Sequence, residues 1–172
     1  IDNLISAARR SPTPRRDEAI VLFLLDTGVR ASELCGLTMA DLDMNGRMCQ
    51  VLGKGNKRRP VAFGKVCARA LWSMTRDQEP DPADPVFQSY RGRTSGAAMT
   101  RSGLRQLVER LGEDAGIHGA RCSPHTFRHT FAVQFLRAGG NVFTLQALLG
   151  HESIDMTRRY GRPDWRIDKV MV

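Results

Sequence analysis

Nothing in this sequence is apolar for long. The longest such run, Ala19 to Leu25 (AIVLFLL), falls far short of the roughly 20 residues a bilayer-crossing helix needs, so no membrane partner is expected. Close cysteine pairs are also missing. Cys35, Cys49, Cys67 and Cys122 lie far apart, with no secretory leader ahead of them, so reduced thiols are expected and a disulfide framework is not. No internal repeat or low-complexity tract marks a solenoid or a tail, and no carboxylate cluster suited to Mg²⁺ stands out. The chain opens on Ile1 and not on methionine, which suggests a piece of something longer.

What is present is length for one full-sized core and an excess of positive charge. The 172 residues are 41% hydrophobic and 26% charged, ordinary for a globular protein, and suit a single domain. The net charge of +8, with a pI near 10.0, fits a polyanionic partner, most simply nucleic acid, because neutralising phosphates releases condensed counterions.

Local signals divide the chain into helices around a small sheet. Asp2 to Arg10 reads as a short helix interrupted at Ser11–Pro14, and Arg15 to Asp26 as a strongly apolar one ended by Gly28. ASELCGL after Arg30 reads as another short helix, with Glu33 three residues from Arg30; Thr38 and Asp41 form a capping-box pattern. Met48–Gly53 and Arg58–Phe63 are strand candidates around the hairpin turn KGNK, Lys54 to Lys57, with Val86–Phe87 as a third. Lys65 to Gln78 is expected to be helical with Val66, Ala70, Leu71 and Met74 inward. The prolines of Glu79–Pro85 forbid a helix, and Ser89–Ala98 reads as a basic surface loop. Thr100 can cap a helix over Arg101–Ala115 that packs through Leu104, Leu107, Val108 and Leu111, with Gly116 closing it.

The most informative stretch runs from Ser123 to Tyr160. Ser123 and Pro124 suit an N-cap and first helical position, and Phe127, Phe131 and Phe135 recur at the spacing of one buried face. His125 and Arg128, three apart, share another face. Gly139–Gly140 stops that helix, Asn141 can cap the next, Gly150 ends it before His151, and Ser153 can cap a last helix reaching Arg158, Arg159 and Tyr160. With Arg30 and Lys54, these are the groups phosphoryl transfer asks for. Guanidiniums suit charge on non-bridging oxygens, imidazoles can donate or carry a proton, a phenol can attack phosphorus and a lysine can protonate a departing oxygen.

In order and spacing, the segments TGVRASELCGL, LGKGNKRRPV, SPHTFRHTFA and LLGHESIDMTRRY resemble those of the tyrosine recombinase (phage integrase) catalytic domain. That resemblance implies an α+β fold, mainly α-helical with one small antiparallel sheet of about three strands, filling residues 1–172 as a single catalytic domain. It also implies that the family's N-terminal DNA-clamping domain lies outside this chain. The activity it implies is cutting and rejoining DNA through a covalent 3′-phosphotyrosyl link, without metal, ATP or other cofactor. The implied roles are Tyr160 as nucleophile, Arg30 and Arg128 as phosphate clamps, His151 as a further phosphate donor and Lys54 as general acid. His125 would be a phosphate or proton-handling group, with Glu33 in support. The implied partner is double-stranded DNA, with a tetramer on paired sites for the full-length protein, in a bacterial or phage-derived cytoplasm.

Two other readings use the same stretch. Helix, glycine turn and helix outline a helix-turn-helix regulator, but VFTLQALL offers base edges only Thr144 and Gln146 and looks like a core helix. His118, Cys122, His125 and His129 have a spacing that could bind zinc in a non-catalytic DNA-binding module, if the start of the helix bent the first two back. His129 otherwise reads as a core histidine, and Arg158 and Arg159 as DNA-facing charge.

Overall fold

The post of the molecule is helix α2, Pro14–Thr27. Its Ala19, Ile20, Val21, Phe23 and Leu24 are all fully buried, so the run AIVLFLL is apolar because neighbours surround it on several sides. The structure, a computed structural model, describes residues 1–77, 79–90, 95–118 and 122–150, Lys54 by its backbone. Within those residues the order is α1 (Asp2–Arg9), α2, α3 (Ala31–Cys35), β1 (Leu42–Asp43), β2 (Met48–Leu52), β3 (Arg58–Ala62), α4 (Lys65–Thr75), α5 (Arg101–Asp114), α6 (Pro124–Arg137) and α7 (Val142–Leu149). Helices α1, α4 and α6 pack on α2, and α5 joins α1 and α3. No helix among the described residues is long and apolar enough to cross a membrane.

Phe23 is the hub of the core, with its ring 6.0 Å from Phe63 and 5.7 Å from Phe87. A smaller cluster of Ala132, Leu145 and Leu149, backed by Phe131 and Phe135, joins α6 to α7. Gly28 ends α2 in the left-handed region, φ 60°, and a Cβ there would stand 2.4 Å from the Phe131 ring. Both backbone conformation and close approach therefore demand glycine at the turn leading to Arg30.

The sheet is antiparallel in the order β1-β2-β3, with Leu52 opposite Arg58, Val51 opposite Arg59 and Cys49 opposite Val61. Pro60 is accommodated because β3 is an edge strand. The turn between β2 and β3 is a short 3-10 segment, Lys54–Asn56, with left-handed Gly55 (φ 72°) and Asn56 (φ 60°).

The expected caps hold. The Ser123 hydroxyl accepts the Thr126 N–H, Asn141 accepts that of Phe143, and Thr100 that of Gly103. Four packing expectations need correction. The third strand is Leu42–Asp43, not Val86–Phe87, whose backbone instead exchanges single hydrogen bonds with Leu37 and Met99. Val66 is 53% exposed and Cys67 takes the inward place on α4. Of the α6 phenylalanines only Phe127 is fully buried, because the last two turns meet α7 rather than the main core. Helix α7 is not sunk in a core, since Leu145 and Leu149 alone are buried and Phe143 is 64% exposed. The helix expected after Ser153 lies outside the described residues.

Candidate active site

The site begins where α2 stops. After Gly28 the backbone runs extended, with Arg30 at φ −72°, ψ 154°, directly before α3. Glu33, one turn into α3, reaches back: Oε2 accepts the Arg30 backbone N–H at 2.7 Å and Oε1 accepts Arg30 Nη1 at 2.8 Å. Arg30 Nη2 donates to the carbonyl of Gly150 at 3.0 Å, across most of the chain.

Arg128 enters from the second turn of α6, placed by the Ser123 cap and Pro124 at the first helical position. It is buried, with Nη1 donating to the Gly28 carbonyl at 2.8 Å and Nη2 to that of Leu149 at 2.7 Å. One guanidinium thereby joins the end of α2 to the end of α7. His125, one turn earlier, is exposed, whereas His129 is buried as expected of a core histidine. Burial, and then the nearby His125, push the His129 pKa below its ordinary 6.5, so it is mainly neutral at pH 7.

A third arginine completes the cluster. Arg59 on β3 donates Nη1 and Nη2 to the two oxygens of Glu33, at 2.7 and 2.9 Å, and Nε to the carbonyl of Leu148 at 2.9 Å. The carbonyls of Leu148, Leu149 and Gly150 thus each take a hydrogen bond from a different arginine. These are the groups a helix end leaves unsatisfied, at its negative pole, so the cations are well placed. Burial alone would raise the Glu33 pKa, but bonds from Arg59, the Arg30 backbone and the Arg30 side chain hold it below the ordinary 4.5. Three guanidiniums against one carboxylate leave a surplus of positive charge at the end of α7, and Arg30 and Glu33 also line a cleft of about 490 Å³ with Ser32, Leu52, Gly53 and Asn56.

The structure therefore gathers Arg30, Glu33 and Arg128, and brings the turn that carries Lys54 to the rim of the same cleft. His151 and Tyr160, with Arg158 and Arg159, lie outside the described residues. Arg59 is the member that motif reading missed. Its signal was available: in a strand alternating about Val61, residue 59 belongs to the inward face, where an arginine is out of place without partners.

The rival constellations fare differently. Among the described residues no group of three His, Cys, Asp or Glu gathers as a metal site. His118 is exposed, whereas Cys122 is buried with its Cβ pressed on Gly112. Burial, with Glu109 adding to it, pushes the Cys122 thiol up to about 11, so it is protonated at neutral pH. Helix α7, as the second helix of a helix-turn-helix, would have only Thr144 and Gln146 to offer base edges.

A small antiparallel sheet flanked by helices thus holds two arginines, one at the start of α3 and one in the second turn of α6, against the end of α7. The chain belongs to the Phage integrase family, which it matches over residues 1–165. It is 41% identical over 148 residues to the tyrosine recombinase XerC of Corynebacterium efficiens, an alignment spanning 85% of this chain and 46% of that protein. Among solved structures it resembles XerA recombinase, with TM-score 0.80, 34% identity and coverage of 95% of this chain and 56% of that one. It also resembles the XerH site-specific recombinase bound to its difH substrate before cleavage, with TM-score 0.76, 25% identity and coverage of 94% and 48%. The chain spans about half the length of the curated relatives it matches.

Proposed function

We propose that this chain is the catalytic domain of a site-specific DNA recombinase that cuts and rejoins strands through a phosphotyrosine. The observation that carries the reading is the convergence of Arg30 and Arg128 on the end of α7 beside the cleft. A phosphodiester in that cleft would meet the fixed, permanently charged guanidinium of Arg30, with Arg128 at the adjoining helix end, and such groups stabilise the extra charge of a five-coordinate phosphorus without reorganising.

In the proposed reaction the Tyr160 oxygen attacks phosphorus, with His125 in reach of the phosphate or of the phenol's proton. His151 donates to a non-bridging oxygen. The phosphorus–O5′ bond breaks, Lys54 protonates the leaving oxygen, and the products are a 3′-phosphotyrosyl link and a free 5′-hydroxyl. Attack by a 5′-hydroxyl reverses the step and restores the phenol. The bond energy stays in the phosphotyrosine, so no ATP is consumed, and the cationic side chains supply the charge stabilisation, so no metal is assigned. The partner is double-stranded DNA, with a tetramer on paired sites for the full-length protein, in the cytoplasm.

The test is a nicked duplex whose short fragment bearing the new 5′-hydroxyl diffuses away after cleavage, incubated with the chain in EDTA. A denaturant-resistant protein–DNA adduct is expected; a strict need for a divalent ion, or no adduct, would refute the reading. A substrate with sulfur at the bridging 5′ position separates roles, because a thiolate leaves without a proton. It should rescue Lys54→Ala and leave Arg30→Ala impaired, and the reverse pattern would exchange the two assignments.

A further inference from the structure

Strand β3 carries a charged side chain on its core face. Arg59 pairs with Val51 across the hairpin and stands two residues from Val61, and both valines are buried. The two-residue period of a strand sends all three to the same side, and the Arg59 side chain is only 15% exposed. A guanidinium there is costly unless its donors are matched. They are matched in one plane: a two-pronged grip on Glu33 and a third bond to the Leu148 carbonyl. The fit extends to Gly150, where a Cβ would lie 3.2 Å from both Cζ and Nη1 of Arg59. Gly150 also has φ 62°, so glycine there both turns the chain out of α7 and leaves room for the guanidinium.

We infer that Arg59 is a positioning residue for strand transfer, fixing through one guanidinium the carboxylate that orients Arg30 and the helix end that leads to His151. The inference rests on the reading of Arg30 and Arg128 as the phosphate clamp. Its physical content lies in where the contacts go. Arg59 joins three segments that each deliver a different proposed group: the β2–β3 turn with Lys54, α3 with Arg30, and α7, which Gly150 connects to His151. Glu33 gripped from two sides has one orientation, and so does Arg30, which is bonded to it. With Arg59 gone, the carboxylate keeps only its bonds to Arg30 and can turn with it, while the Leu148 carbonyl loses its tie to β3. A lysine keeps the charge, but one ammonium cannot lie flat against the carboxylate and reach Leu148 as well.

The experiment is single-turnover adduct formation by the 172-residue chain on a nicked duplex at saturating DNA, with affinity and melting measured beside it. Arg59→Lys should bind DNA within about threefold of wild type yet form adduct about 10- to 100-fold more slowly, the scale of an ångström's misplacement. The final adduct yield should be preserved. A role in stability alone would lower the yield by the unfolded fraction and leave the rate constant of folded molecules unchanged. Glu33→Gln, which leaves Arg59 in place but removes the carboxylate that it and Arg30 both hold, should slow the reaction at least as much. The double variant should be little slower than the slower single one, because both break the same link. A wild-type rate constant in Arg59→Lys overturns the inference, as does a double variant whose losses multiply. Should Arg59→Lys fail to fold, a wild-type rate in Glu33→Gln overturns it equally. If the wild-type chain itself forms no adduct, the strand-transfer reading falls and takes this inference with it. Wild-type cleavage with an indifferent Arg59→Lys removes the inference alone.

Discussion

Two carboxylates in this molecule are equally sunk, and they are answered differently. Asp17 and Glu33 have side chains 0% and 1% exposed, and each has an arginine beside it. Asp17 is held locally. Its Oδ1 accepts from Thr13 and from Arg16, both within four residues, and Oδ2 finds no hydrogen bond among the described residues, with Arg110 3.9 Å away. Glu33 has both oxygens doubly engaged, by residues from α3 and from β3, and both of its arginines run on to the carbonyls of α7. The lesson lies at the far ends of the arginines. Arg16 continues to the Gln88 carbonyl in a surface loop and secures the start of α2. Arg30 and Arg59 continue to the helix end preceding His151, so the Glu33 network ties together the segments that carry the proposed chemical groups.

That contrast can be broken by experiment. The largest expected effect is that of Arg128→Ala, which removes a clamp and leaves the Gly28 and Leu149 carbonyls short of a donor. Adduct formation should fall about 10²- to 10³-fold in a single-turnover assay, the usual loss for one preorganised donor to a developing oxyanion. Next is Asp17→Ala, which leaves the largely buried Arg16 without its counter-charge and should cost about 3 kcal/mol in urea unfolding. Its cleavage rate constant, measured on folded protein, should stay within about twofold of wild type. A large rate loss there would erase the distinction between the two carboxylates.

A smaller effect concerns acid stability. Because the folded pKa of Glu33 is depressed, its contribution is fully present above the ordinary 4.5 and is lost as pH falls through the lowered value. Glu33→Gln should therefore flatten the acid limb of the stability curve below about pH 4.5, while the neutral limb changes little in shape. An unchanged acid limb would mean that the carboxylate is not stabilised by its arginines. The smallest expected effect is none: EDTA should leave the adduct rate unaltered.

Much of this arrangement was legible in the sequence, for a physical reason. Caps and glycine stops are local devices, so Ser123, Asn141, Gly28 and Gly150 announce helix ends without knowledge of neighbours. Arg30, Glu33 and Arg128 were legible through motif resemblance, and the structure gathers them by hydrogen bonds near the end of α7. What was not legible depends on the surface opposite. Val66 and Cys67 are adjacent apolar residues on α4, and only the position of α2 decides which one faces in. Helix α7 is apolar enough for a core, yet it is stitched to the molecule by two leucines and three guanidiniums. Arg59 was missed because its partners come from 26 residues before it and 89 after it.

The central claim is that this cluster holds a phosphate for attack by Tyr160. Its most direct test is to trap the adduct on a nicked duplex, digest it and locate the nucleotide-bearing peptide by mass spectrometry. The account predicts the 3′-phosphate on Tyr160, with Tyr160→Phe binding DNA normally and yielding no adduct. DNA attached to any other residue, or an adduct that survives in Tyr160→Phe, would contradict it.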